Sequence, residues 1–122
     1  MAEEKRAKSE QAYESTTVYR TGQRPLTFEG ILLAESTTRE INGPRSNRWH
    51  NYELHRTRGG KYVLVHEYIT LWQGEANFRD AWVSEDANEV FQRAVENNDG
   101  YFSDALVELA WKAGIDIAEK LE

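Results

Sequence analysis

The chain has 122 residues, 39% of them hydrophobic and 30% charged, the size and balance of one globular domain around one hydrophobic core. It contains no cysteine, which excludes disulfides, thiolate metal sites, iron–sulfur ligation and a cysteine nucleophile. The charged N-terminus has no signal-peptide core and no run approaches the ~18 apolar residues of a membrane span, so a soluble, cytoplasmic protein is expected.

Residues 1–15 alternate charge signs and offer little to a core, so they read as a charged tail or frayed helix ahead of a single domain over 16–122. Thr16 to Arg20 and Leu26 to Ala34 are strand-like and joined by the turn-like Thr21-Gly22-Gln23-Arg24-Pro25, which predicts a hairpin. Alternation puts Leu26, Phe28, Leu32 and Ala34 on one face of the second strand, and Ile31 with Leu33 on the other. Ser36 to Arg48, with Gly43-Pro44 at its centre, reads as a long loop.

Two further strands follow, Trp49 to Arg56 and Tyr62 to Trp72. They meet at Gly59-Gly60, and a glycine pair permits the positive φ angles of a two-residue primed turn. Such a turn sets Leu54 opposite Val65, Glu53 opposite His66 and Asn51 opposite Tyr68. Tyr52, Leu54, Val63, Val65, Ile69 and Leu71 then face the core. Trp49, Asn51, Glu53, His55, Tyr62, Leu64, His66, Tyr68 and Trp72 share the other side. Phe78 to Val83 supplies a fifth strand. Asp86 and Glu89 form a capping-box signature ahead of Val90, Phe91, Ala94 and Val95 at helical spacing, and Asn97-Asn98-Asp99-Gly100 stops that helix. From near Ser103 a last helix is expected to run through Gly114 to Leu121. It carries Leu106, Leu109, Ala110, Ala113, Ile117 and Leu121 on one face, widened by Val107, Trp111 and Ile115. The expected architecture is therefore α+β: an antiparallel meander sheet of about five strands, with two C-terminal helices packed on one face.

Net charge is −6 but unevenly spread, residues 36–62 summing to +4 and residues 75–122 to −8. Either the charges simply solvate exposed faces or they make a basic patch on an acidic body. Arg39, Arg45, Arg48 and Arg58 accompany the aromatic hairpin face of Trp49, Tyr62, His66, Tyr68 and Trp72. These residue types dominate protein–protein hot spots, so a protein-binding surface is expected there, on a module that regulates or inhibits a macromolecular partner, unless the C-terminal helices or a long loop cover that face. Two alternatives use overlapping residues. With Arg56 and Lys61 the same arginines and aromatics can follow a single nucleic-acid strand, although the acidic chain has no basic helix or known reading motif. Glu53, His55 and His66 occupy neighbouring positions in the expected register and form a candidate metal or acid–base set. His50 falls on the opposite face and is assigned to packing. No serine sits in a nucleophile elbow, and Gly59-Gly60-Lys61 lacks the spacing of a phosphate loop. No catalytic residue and no cofactor are expected, and a homodimer is compatible with the composition.

The stretches Phe28-Glu29-Gly30-Ile31-Leu32-Leu33-Ala34 and Leu54-His55-Arg56-Thr57-Arg58-Gly59-Gly60-Lys61-Tyr62 resemble the EXLDI family of small bacterial proteins over the middle half of the chain. The resemblance implies a sheet followed by acidic helices, and no active site. Residues 114–122 lack the family's namesake motif, and the segment ahead of the sheet is shorter. By analogy, a small acidic domain of this kind also has the character of a phage or mobile-element inhibitor of host defence, of the anti-CRISPR sort.

Overall fold

The computed structural model describes residues 13–39 and 45–121. Five antiparallel strands follow one another in space as in sequence: β1 (Glu14–Arg20), β2 (Gln23–Thr37), β3 (Arg48–Thr57), β4 (Tyr62–Thr70) and β5 (Phe78–Ser84). Helices α1 (Ala87–Glu96) and α2 (Asp104–Ala113) then close the chain. This is the expected α+β meander. The expected tail up to residue 12 and Gly43-Pro44 lie outside the described residues.

The sheet curls into a half-barrel. Thr21 at the β1–β2 turn donates its N–H to the Arg79 carbonyl at 2.8 Å, and Gln23 Nε2 donates to Asp80 Oδ1 at 3.2 Å, so the first hairpin reaches the fifth strand. The two faces of the sheet are consequently buried by different means. On the convex face, Ala34, Tyr52, Leu54 and Leu64 pack against Val90, Phe91, Ala94 and Val95 of α1 and Ala105, Leu106, Leu109 and Ala110 of α2. On the concave face, curling alone buries Val18, Val63, Val65 and Ala81, with Leu26 and Phe28 beside them. The face of β2 changes at a bulge between Leu32 and Ala34, where two residues stand against one step of β3. Leu26 and Phe28 therefore serve the concave cluster and Ala34 the convex one.

The β3–β4 register differs from expectation by one residue. Leu54 stands opposite Leu64, Tyr52 opposite His66 and His50 opposite Tyr68. The cause is the turn. Gly60 N–H donates to the Thr57 carbonyl at 2.9 Å and Thr57 N–H to the Lys61 carbonyl at 2.8 Å, which makes Arg58, Gly59 and Gly60 a three-residue loop. Gly60 alone has positive φ (+89°), the glycine of a type I turn closed by a bulge. One extra loop residue turns every β4 side chain to the other face. Tyr62, Leu64, His66 and Tyr68 thus join Tyr52 and Leu54 beneath the helices, while Val63, Val65 and Ile69 go to the concave side with Trp49, Asn51, Glu53 and His55. Leu71, expected in the core, is 62% exposed.

Both helices begin where the caps predict. Asp86 accepts from Asn88 N–H at 3.0 Å, while Glu89, instead of closing the box directly, accepts from the Ser84 hydroxyl at 2.9 Å. Ser103 caps α2 by accepting from Leu106 N–H at 3.3 Å. The last helix is shorter than expected. Gly114 adopts a left-handed conformation (φ +71°), and Ile115 N–H reaches back to the Ala110 carbonyl at 2.9 Å, a glycine-terminated helix end. Ile115 and Ile117 still pack on the convex core from outside the helix, which is how the apolar stripe continued past its end. Val107 and Trp111, expected to widen the buried face, are exposed, Trp111 by 80%.

Candidate functional site

Register disperses the residues singled out from sequence into three places. The first is the interior of the convex layer. His66 is buried there, stacked between Tyr52 and Trp82 with Phe78 at its edge, and His50 Nδ1 lies 2.7 Å from His66 Nε2. One nitrogen of that pair donates and the other accepts, so the accepting ring is neutral and the two cannot both be protonated in the contact. Burial, with the neighbouring His50 ring adding to it, pushes His66 down to about 4, and burial lowers His50 as well. His50 packs as expected, against Tyr52 and Tyr68. Tyr62 is half-buried against the same core, beneath Arg56. Tyr62, His66 and Tyr68 therefore do not form an outward aromatic face.

The second place is the concave face. His55 Nε2 and Glu53 Oε1 are 3.1 Å apart, with Phe28 edge-on to the imidazole. The His55 hydrogen bond, aided by its charge and that of Arg79, holds the Glu53 carboxyl below its ordinary range against the opposing effect of burial. His66 is on the other side of the sheet, so Glu53, His55 and His66 do not converge, and the candidate metal or acid–base set is not assembled. Among the described residues no group of three or more His, Asp or Glu side chains is arranged to hold a metal ion.

The third place is the end of the sheet where β3 begins and β4 ends. Here Arg39 and Trp49 form one stack and Arg48 and Trp72 another, on opposite faces of the sheet, because Arg48 and Trp49 are consecutive in β3. The guanidinium of Arg39 lies 4.0 Å over the Trp49 ring and that of Arg48 lies 5.2 Å over Trp72. The geometry follows from the strand ends. Arg48 pairs with Thr70 and Trp49 with Ile69 in the ladder, and Leu71 N–H donates to the Asn47 carbonyl at 2.9 Å, which holds the β4–β5 connection against the start of β3. Arg48 donates to both oxygens of Glu75 at 2.9 and 2.7 Å, and Thr70 Oγ1 donates to Glu75 Oε1 at 2.6 Å. Those bonds hold the Glu75 carboxyl down at about 2. Trp72 is 51% exposed beside exposed Leu71, and Arg45, just ahead of β3 in the chain, is exposed. Arg58 is not part of this group. It sits on the β3–β4 turn at the far end, bonded to Glu29 at 2.8 Å and stacked over Tyr13.

Sequence reasoning missed Leu71, which alternation had assigned to the core, and Glu75, which it did not single out at all. Its signal was present: an acidic residue following the Trp72-Gln73-Gly74 turn, opposite an arginine at the start of β3. No protein-family model matches the chain, and neither a curated protein nor a solved structure matches it.

Proposed function

We propose that this chain is a non-enzymatic protein-binding module that regulates or inhibits a macromolecular partner, engaging it with the Arg–Trp end of the sheet. The observation that carries the reading is the Arg48–Trp72 stack, with Trp72 and its neighbour Leu71 both exposed. Trp and Arg are the side chains that contribute most when desolvated at a protein interface, and a ring already stacked under a guanidinium loses little freedom on docking. Apolar Leu71 beside them supplies area that a partner can cover.

The same end is less suited to a phosphate backbone. The planar fork of Arg48 is filled by the Glu75 carboxylate, the group a phosphate would have to displace. The body behind it carries the −8 of residues 75–122, which repels a polyanion. Affinity capture with the purified protein as bait, compared between wild type, Trp72→Ala and Trp111→Ala, tests the reading. A protein recovered by wild type and Trp111→Ala but lost with Trp72→Ala supports it. Recovery that is indifferent to Trp72, or salt-sensitive retention of labelled single-stranded oligonucleotides at low salt in its place, contradicts it.

A further inference from the structure

The concave face of the half-barrel ends, beside the β3–β4 turn, in a cavity of about 400 Å³. That is within the size range of small-molecule sites, about 300–1,000 Å³. Its walls are apolar: Leu26 and Phe28 from β2, Val63 from β4 and Val83 from β5. The rim is polar, with Glu29, Arg58 and Lys61. We propose that this mouth binds a small aliphatic carboxylate, the chain lying on Leu26, Phe28 and Val83 above buried Val63 and the head group meeting Lys61.

Three features of the chain build the site. Gly30 has no side chain, and a Cβ there would stand 2.5 Å from the Phe28 ring, so the glycine is what lets that ring lie across β2 and form the inner wall. Val83 is 40% exposed although its strand neighbour on the same face, Ala81, is buried, so an apolar surface is left uncovered where the cavity opens. Lys61 is anchored at its backbone, its N–H donating to Thr57 Oγ1 at 3.0 Å and its carbonyl accepting from Thr57 N–H at 2.8 Å. Its side chain therefore starts from a fixed point on the rim.

Charge selects the class of head group. Of the two cations at the rim, Arg58 is matched by Glu29 at 2.8 Å, whereas Lys61 has no ion-pair partner among the described residues. With the one carboxylate at the mouth already spoken for, the unmatched charge is positive, and an anionic head complements it. An ammonium-headed chain would meet the same lysine as repulsion, and an alcohol would gain a hydrogen bond but no charge pairing from it.

Decanoate, decanol and decyltrimethylammonium are suitable probes, titrated below their aggregation limits into isotope-labelled full-length protein and followed by nuclear magnetic resonance. Decanoate is expected to give saturable shifts at Leu26, Phe28, Val63 and Val83 and to bind about tenfold more tightly than decanol. Lys61→Gln, a change on an exposed side chain, should lower decanoate affinity about tenfold and leave decanol unchanged. Absence of saturable shifts at these residues, equal binding of acid and alcohol, or indifference of decanoate to Lys61→Gln each overturns the proposal. The Arg–Trp end lies at the other end of β3 and β4, so failure here leaves the partner-binding reading untouched.

Discussion

Burial beneath the helices holds His66 at about 4, and this makes one imidazole a sensor of acid for the whole convex layer. In the unfolded chain the ring titrates near its ordinary 6.5. Between 6.5 and 4 the unfolded state thus binds a proton that the native state refuses. Stability is full above that window and falls as pH drops through it, by about 3 kcal/mol for a shift of this size. His50, also lowered by burial, acts in the same direction. Urea midpoints should decline from pH 7.5 to pH 4.5, and His66→Phe should remove most of the decline; a midpoint independent of pH in the wild type would show that the ring is not held neutral. Nothing local in the sequence marks His66 as buried. Tyr62, His66 and Tyr68 alternate with Val63, Val65 and Ile69, and either set makes a plausible core face. His50 was placed correctly as a packing residue, but its partner was not, because the partner depends on register.

The turn between β3 and β4 shows why. Gly59-Gly60 supports two loops that differ by one residue, and composition does not separate them. Thr57 does: its hydroxyl accepts from Lys61 N–H at 3.0 Å and its carbonyl accepts from Gly60 N–H at 2.9 Å, fixing the longer loop. The two loops make different demands on the glycines. A two-residue primed turn needs positive φ at Gly59, the first of the pair, and in type I′ at both, whereas here only Gly60 has it, and a Cβ on Gly59 would come no closer than 3.8 Å to Thr57 Oγ1. Gly59→Ala should therefore change stability by less than about 0.5 kcal/mol, and Gly60→Ala should cost about 1 kcal/mol or more. Equal losses in thermal denaturation would favour the shorter turn. The other misjudged boundary has a related origin. An i,i+4 ladder through Gly114 fits a continuous helix, yet Asp116 and Lys120 still pair at 2.7 Å once the helix has ended at a left-handed glycine. Strand order, the α1 and α2 starts and the Asn97–Gly100 stop were all readable, because they depend on local caps and turns rather than on pairing.

At the scale of the molecule, curling of the sheet is what the sequence pattern could not show. Alternation says that a strand has two faces; it does not say that the first hairpin reaches the fifth strand and buries the concave one by itself. That closure frees the helices to cover the histidine and tyrosine side, and it leaves uncovered rings elsewhere, at Trp72 and Trp111. Of the nine side chains that sequence reasoning assigned to partner binding, Arg39 with Trp49 and Arg48 with Trp72 form two stacks at one end, on opposite faces of the sheet, and Arg45, just ahead of β3, is exposed. His66 is buried, Tyr62 and Tyr68 are half-buried in the convex layer, and Arg58 is at the opposite end. Affinity for the captured protein, measured by titration calorimetry with Trp72→Ala and Trp111→Ala side by side, is the most direct measurement of whether this end is the site. Removing the Trp72 ring should weaken binding about 30-fold and removing Trp111 by less than about twofold. Equal affinities for the two variants, or a loss confined to Trp111→Ala, would place the interface elsewhere on the molecule.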